Sequence, residues 1–213
     1  MNSKKRTVTA AVLLVLILVL AASGVHAYLQ DEDTKSNAFQ IAEDQVAVKE
    51  TFTEPSTMGQ KNEVQKTVAV LNTGSSDQYV RVFLDFSDSS VRDQTTITYR
   101  KNGSEQEKSW AEFLADLPED WVYIPATDET DGALLGGFFY YTKILEPGET
   151  TPPLISALCT DFGSSEPEHI KNFDVIVYSE SVQTVEIKSG LVYDDTDPDA
   201  WKTAWRSFLQ DDE

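Results

Sequence analysis

The sequence predicts an all-β protein: an antiparallel β-sandwich, of jelly-roll or immunoglobulin-like connectivity, with a short surface helix and a C-terminal amphipathic helix. Short segments of alternating apolar and polar residues predict the strands, because every second side chain of a strand faces the same side. Clusters of turn-forming residues between them, with little helical periodicity, favour an antiparallel arrangement. With 213 residues, 40% of them hydrophobic, the chain can bury one core.

The N-terminal residues have the pattern of a secretory signal. A basic cluster at residues 4–6 precedes an uncharged apolar run over residues 10–22 and a stretch of small residues that ends at Ala27. As a helix the run spans about 20 Å, less than the ~30 Å hydrocarbon core of a bilayer, which favours a cleaved signal over an anchor. We expect cleavage between Ala27 and Tyr28, with a cut after Gly24 as second choice, and a secreted protein that is extracellular or associated with the cell surface.

The chain is expected to have four parts. They are the signal peptide, a flexible polar segment, the β-sandwich domain, and an acidic linker followed by the C-terminal helix, at residues 1–27, 28–38, 39–190 and 191–213. The boundaries follow changes in apolar periodicity, since no Gly/Ser-rich or Pro-rich linker divides the chain.

The chain is strongly acidic. It has 36 acidic and 17 basic side chains, and because removal of residues 1–27 takes away three basic residues and no acidic one, the mature chain has a formal charge of −22. Phosphate binding depends on Lys and Arg, which excludes nucleic acid as a partner. Self-association is expected to depend on salt, and divalent cations could bridge the acidic surface.

From residue 64 onward, the apolar alternation predicts a series of strands. Apolar residues recur at even-numbered positions, at 64, 68 and 70 in the first segment and throughout residues 79–86 in the second, and residues 72–77 between the segments are turn formers, so the two segments pair or pack as successive strands. The short β-branched segment 95–99 is interpreted as an edge strand. Further strands are predicted at residues 121–124, 137–145, 154–159, 173–178 and 182–187.

Local patterns define the connections. Ser109 begins a capping box with the glutamate three residues later, which predicts a short helix. The aromatic-rich segments 121–124 and 137–145 form either a long hairpin or a crossover between sheets. Pro147 and Gly148 fit the centre of a type II turn.

An amphipathic helix is predicted after the acidic residues 194–199. Trp201, Trp205, Phe208 and Leu209 recur with helical spacing and form one apolar stripe. This stripe either packs on the sandwich or docks on a neighbouring subunit or a membrane surface.

The residues argue against enzymatic chemistry. His26 is lost with the signal, so His169 is the only histidine of the expected mature chain, and neither a His-Glu-x-x-His zinc motif nor a Ser/His/Asp set can be assembled. We therefore predict a protein that is not an enzyme, with no catalytic residue, no cofactor and no specific metal site.

Cys159 and the C-terminal aspartates have structural interpretations. Cys159 has no intrachain partner and reads as a small buried hydrophobe, with an intermolecular disulfide as the alternative. The alternating aspartates of residues 195–199 lack the glycine and glutamate of a calcium loop and are expected to cap the terminal helix. Loose calcium bridging by these aspartates or by residues 128–131 stays open.

Five short motifs occur in order along the chain. They are the segment after the signal, an Asn-x-Gly turn with a Tyr-Val-Arg-Val strand, an aromatic pair with a Pro-Gly turn, a Ser-Glu-Ser-Val-Gln segment and a terminal pair of tryptophans, at residues 27–39, 72–82, 140–151, 179–183 and 200–205. Together they resemble the exported proteins of the TasA/camelysin type, a biofilm-matrix family of Gram-positive bacteria. The resemblance implies a jelly-roll-like sandwich, processing by a dedicated signal peptidase, and self-assembly into extracellular fibres.

The resemblance also implies that the N-terminal segment of one subunit adds as a strand to the next. Residues 28–49 are then the donor segment, and deletion of this segment should leave a folded monomer that cannot polymerise. Its apolar anchors alternate with polar residues, first at odd-numbered and then at even-numbered positions. They are Phe39, Ile41, Val46 and Val48. In an isolated monomer, residues 39–49 can instead form the molecule's own first strand.

The expected function is therefore that of a secreted structural protein of the cell surface or biofilm matrix, which forms fibres by N-terminal donor-strand exchange. The alternative is a monomeric adhesion module that binds a host or matrix ligand through its loops. Ordered polymers would favour the first function, and a monomer with a saturable ligand would favour the second.

The substitution Trp201→Ala should separate the two roles of the C-terminal stripe. If the stripe packs on the sandwich, loss of the indole leaves a cavity and lowers the free energy of unfolding by about 3–5 kcal/mol, measured by denaturant unfolding. An unchanged melting temperature would favour docking on another surface.

Overall fold

Nine strands form two antiparallel sheets in the computed structural model, which describes residues 46–52, 61–163, 173–185, 190–194 and 196–210. The strands are β1 (Val46–Phe52), β2 (Lys61–Asn72), β3 (Gln78–Phe86), β4 (Thr95–Lys101), β5 (Ser104–Ser109), β6 (Trp121–Ile124), β7 (Phe138–Leu145), β8 (Ile155–Asp161) and β9 (Val175–Gln183). The helices are α1 (Ser89–Arg92), α2 (Trp110–Ala115), α3 (Gly132–Leu135) and α4 (Ala200–Gln210).

The first sheet has the strand order β1-β2-β8-β4-β5, and the second has the order β6-β7-β3-β9. The all-β sandwich with a short surface helix and a C-terminal helix is thus confirmed. None of the helices within the described ranges is both long and apolar enough to cross a bilayer.

The core lies between the two sheets and follows the predicted alternation. The even-numbered apolar residues of β3 point into it, and they are Val80, Val82, Leu84 and Phe86. Val68 and Val70 of β2 belong to the same cluster but to the opposite sheet. The first two predicted strands therefore pack across the core rather than pair.

The prediction of an edge strand at residues 95–99 is wrong. The strand β4 lies between β8 and β5, and its side chains Ile97 and Tyr99 are fully buried. The chain turns back at Asn102 and Gly103, both at positive φ, and forms β5, which becomes the edge. The sequence of β5 is polar and largely exposed, so it carries no apolar alternation by which it could be predicted.

The capped helix, the Pro-Gly turn and the aromatic hairpin are confirmed, whereas the last two predicted strands are not separate. Ser109 and Glu112 form the capping box of α2, and Gly148 adopts a φ of +81° in the turn that precedes β8. The two aromatic segments form a hairpin within the second sheet, since β6 pairs directly with β7. The two strands predicted near residues 173–187 are instead one strand, β9, which ends at Gln183.

Candidate assembly interface

The strand β1 is the first described strand and lies at the edge of the first sheet. It pairs with β2 along its whole length, from Val46 opposite Asn72 to Phe52 opposite Lys66. Within the described ranges β2 is the only strand paired with β1. The opposite edge of β1 is thus unpaired in this part of the chain.

Two of the four predicted anchors lie in β1 and face the core of the same chain. Val46 is buried, and Val48 is half-buried and packs against the main cluster. Ala47 and Lys49 alternate with them and are exposed. Within the described residues β1 is therefore a strand of the molecule's own sandwich, and its described part runs from Val46 to Phe52.

Several predicted features lie outside the described residues. They are the cleavage site at Ala27 and Tyr28, the flexible segment 28–38, the anchors Phe39 and Ile41, and His169.

An ion pair joins β1 to β2. The Nζ atom of Lys66 lies 3.0 Å from Oε2 of Glu50, and the Lys66 side chain is only 7% exposed while that of Glu50 is 34% exposed. The pairing of β2 with β8 is irregular between Gln65 and Val68, so Lys66 lies at a β-bulge. Sequence reasoning missed this pair, although a lysine at an even position between Val64 and Val68 was a visible signal.

The strands β1 and β9 are edges of opposite sheets and contact each other. Val46 and Val48 of β1 and Val175 and Val177 of β9 all belong to the core cluster or pack against it. β1 therefore helps to cover one side of the hydrophobic core.

The C-terminal stripe packs on its own chain. Trp201, Trp205 and Phe208 are buried, and the ring centroids of Trp201 and Trp205 lie 5.1 and 5.9 Å from that of Tyr140 on β7. Of the two roles left open by the sequence, this arrangement is packing on the sandwich. The helix α4 covers part of the outer face of the second sheet.

Arg81 is buried beneath α4 on the outer face of β3. Its guanidinium carbon lies 3.9 Å from the centroid of the Phe138 ring and 4.3 Å from that of Trp205. Its Nε donates a hydrogen bond of 2.7 Å to Glu180, and a terminal nitrogen donates one of 3.2 Å to Tyr140. One cation thus links three strands to the helix through ion pairing and cation–π contact.

Asp131, which directly precedes α3, forms ion pairs with two basic side chains of α4. Its carboxylate accepts hydrogen bonds from Arg206 and lies 3.2 Å from Nζ of Lys202. The Arg206 hydrogen bond, assisted by Lys202, lowers the pKa of Asp131 below its ordinary value of 3.8. Asp131 therefore serves as an ion-pair partner of the helix.

Next to α4, part of the same outer face is exposed. Phe83 stacks on Tyr178 with ring centroids 4.9 Å apart, and Phe138 lies beside both rings. Tyr178 and Ile176 of β9 are 42% and 44% exposed. These four residues, the aromatic patch, form an apolar surface beside the helix α4, whose tryptophans are buried.

Cys159 differs from its predicted place in the core. It is half-buried on β8 opposite Glu63 and Thr96, because the core side of this stretch of β8 is taken by Leu158. Burial raises the pKa of its thiol.

Acidic side chains near the C-terminus stabilise turns. The Asp197 carboxylate accepts the amide hydrogen of Asp199 just before α4. Within the described ranges, no three His, Cys, Asp or Glu side chains come together in a way that could hold a metal ion.

Comparison of the chain with protein-family models, with curated protein sequences and with solved structures found no match. The likeness to the TasA/camelysin type therefore stays a prediction from the motifs.

The substitution Arg81→Ala should destabilise the protein by about 2 kcal/mol, because it removes the buried guanidinium that contacts Phe138 and Trp205 and takes away the ion-pair partner of Glu180. Denaturant unfolding followed by tryptophan fluorescence measures the loss. Arg100→Ala, at an exposed position of β4, is the matched control and should change stability by no more than about 0.5 kcal/mol. Equal effects of the two substitutions would contradict the role of Arg81.

The stability that Asp131 contributes should depend on pH. Since its pKa is lower in the folded state than in the unfolded state, its contribution is complete above pH 3.8 and is lost as the pH falls through that value toward the folded pKa. The difference in stability between the wild type and Asp131→Asn, measured by denaturant unfolding at several pH values, should therefore narrow below about pH 4. A difference independent of pH would show that the carboxylate charge contributes nothing.

Proposed function

We propose that the mature chain is a secreted structural subunit of the cell surface or biofilm matrix, and that copies assemble into fibres by N-terminal donor-strand exchange. The observation that carries the proposal is the position of β1: an N-terminal edge strand that is paired on one side and covers one side of the core. The order of motifs and the signal pattern at residues 1–27 support an exported protein of the TasA/camelysin type.

An exchange of this strand conserves most of its interactions. When β1 leaves its own β2 and pairs with β2 of another copy, the same backbone hydrogen bonds and the same valine contacts form again. Because each copy then has an empty place for a further strand, the exchange can continue from copy to copy. The net cost is the entropy of association, which the additional anchors Phe39 and Ile41 of the donor segment 28–49 would offset.

The charge of the chain bears on assembly. A mature chain with a formal charge of −22 repels its copies at low ionic strength, and salt screens this repulsion. Assembly should therefore be favoured at high salt, and divalent cations should favour it further by bridging acidic surfaces.

The test compares chains that begin at Tyr28, at Val46 and at Glu50, by electron microscopy and size-exclusion chromatography at low and high salt. We expect filaments from the chain that begins at Tyr28 and none from the chain that begins at Glu50, which lacks both valines of β1. The chain that begins at Val46 keeps β1 without Phe39 and Ile41, and shows whether those anchors are needed.

Two results would contradict the proposal. Filaments from the chain that begins at Glu50 would exclude donation of residues 28–49. Monomers from all three chains under every salt condition would exclude a fibre-forming function.

The second candidate function is a monomeric adhesion module, and the aromatic patch favours it. Exposed apolar groups that neighbour one another on a folded protein commonly mark contact sites. A monomer that binds a host or matrix component saturably, and loses that binding with Tyr178→Ala, would support this function instead.

A further inference from the structure

Two exposed valines stand opposite each other just after β9. Val185 and Val192 form an antiparallel bridge, and they are 42% and 61% exposed. Leu191, next to Val192, is 50% exposed. We call residues 184–185 and 190–193 the valine ribbon. It holds three of the six large apolar residues that are exposed in the described part of the chain. Neighbouring apolar side chains that are exposed to water commonly mark a contact site.

The base of the valine ribbon is fixed to the sandwich. The amide of Thr184 donates a hydrogen bond of 3.1 Å to the carbonyl oxygen of Asp77, in the turn that joins β2 to β3. The amide of Tyr193 donates one of 2.7 Å to the carbonyl oxygen of Thr184, and both Thr184 and Tyr193 are buried. The two valines are therefore held at a defined place beside that turn.

The strand β1 begins at the same end of the sandwich. Val46 stands opposite Asn72, the last residue of β2. Gln183, the last residue of β9, stands opposite Gln78, the first residue of β3. Because β1 and β9 are antiparallel to these neighbours, the chain enters β1 and leaves β9 at the end where β2 turns into β3. The strands β1 and β9 also contact each other, so the entry to β1 and the start of the valine ribbon lie on the same side of the sandwich.

The donor segment is long enough to reach the ribbon. Its anchors Phe39 and Ile41 precede Val46 by seven and five residues. An extended chain advances about 3.4 Å per residue, so these anchors can lie up to about 24 and 17 Å beyond the start of β1. Val185 lies two residues, or about 7 Å, beyond the end of β9. The exposed valines are therefore within the range of both anchors.

We propose that the valine ribbon of one copy receives the anchors Phe39 and Ile41 of the strand that a second copy donates. This assignment rests on the proposed fibre-forming function. When a donated β1 lies beside β2 of the acceptor, the residues before its Val46 emerge next to the acceptor's ribbon. β2 then supplies the backbone hydrogen bonds, and the ribbon supplies the apolar surface for side chains that β1 itself does not include.

A lipid surface is a poorer occupant of the ribbon. Binding of an exposed apolar element to anionic lipids is strengthened by basic residues, and the expected mature chain has a formal charge of −22. A second copy of the chain instead brings two apolar side chains in a segment that already enters the sandwich at this end.

The first test is disulfide crosslinking between copies. Cys159, the only cysteine of the chain, is replaced by serine, and Ile41→Cys and Val192→Cys are made in separate mature chains that begin at Tyr28. The two chains are mixed, assembled at high salt and oxidised with diamide. We expect a covalent dimer on a non-reducing gel from the mixture and from neither chain alone.

Val122→Cys is the matched control for Val192→Cys. Val122 is also an exposed valine, 39% exposed, but it lies on β6 at the opposite edge of the second sheet. Because a disulfide needs Cα atoms within about 7 Å of each other, its mixture with the Ile41→Cys chain should give roughly tenfold less dimer.

The second test measures the strength of assembly. Val192→Ser removes an exposed side chain, so it should leave the melting temperature of the monomer at low salt unchanged. It should raise the protein concentration that fibres require by roughly tenfold, because the valine is no longer available to the donor. Ile41→Ser should have the same effect, and the two substitutions together should add little, since they remove two halves of one contact. Val122→Ser should assemble as the wild type does.

Failure of this inference and failure of the proposed function give different results. If the wild type forms fibres, but the crosslink does not exceed the Val122→Cys control and Val192→Ser assembles normally, the ribbon does not receive the anchors. If the wild type forms no fibres under any salt condition, the fibre-forming function fails, and donation by a second copy fails with it.

A chain that carries both Ile41→Cys and Val192→Cys identifies the source of the anchors. A ladder of covalent multimers supports donation by another copy. A disulfide confined to single chains would overturn the second copy as the occupant. Binding to phosphatidylglycerol vesicles that is lost with Val192→Ser, while assembly is unchanged, would assign the ribbon to a lipid surface and would also overturn the proposal.

Discussion

The outer edge of β2 must be paired, and much of the molecule depends on how that requirement is met. β2 lies between β1 and β8 in the first sheet. If β1 were absent, the outer side of β2 would expose backbone hydrogen-bonding groups, core valines and the side chain of Lys66. β1 meets all three needs with a few side chains. Because β1 is the first strand of the described sandwich and lies at the edge of its sheet, it can leave without dividing the other described strands.

The opposite situation holds on the outer face of the second sheet. There α4 is held in two ways. Its tryptophans are buried and Trp205 contacts Arg81, and its basic side chains form ion pairs with Asp131. These contacts come from β3, β7, β9 and the α3 region, and no single strand could exchange them. The two elements therefore differ physically: many aromatic and ionic contacts hold the helix, whereas in the described part of the chain β1 is held by its pairing with β2, its contact with β9 and the side chains of Lys49 and Glu50.

Periodicity predicted the elements whose two faces differ. β3 alternates between core residues and an outer face, and α4 repeats its apolar residues with helical spacing, so both could be predicted. β5 could not, because an exposed polar strand has no such contrast. The short, β-branched sequence of β4 does not reveal how many strands adjoin it, so sequence patterns could not distinguish an edge strand from an inner one. Cys159 was assigned to the core because a single apolar residue does not reveal its face.

The sequence by itself determined the sandwich class, the turns, the capped surface helix and the amphipathic helix, since each depends on neighbours within a few residues. The tertiary structure alone decided which strands adjoin and that the tryptophan stripe packs on its own sandwich. It also decided that Lys66 contacts Glu50 and that Arg81 contacts Glu180 and Trp205. Those partners are 16, 99 and more than a hundred residues apart. Local propensity carries no information about such distances, because strand order and register arise only when the two sheets close over one core.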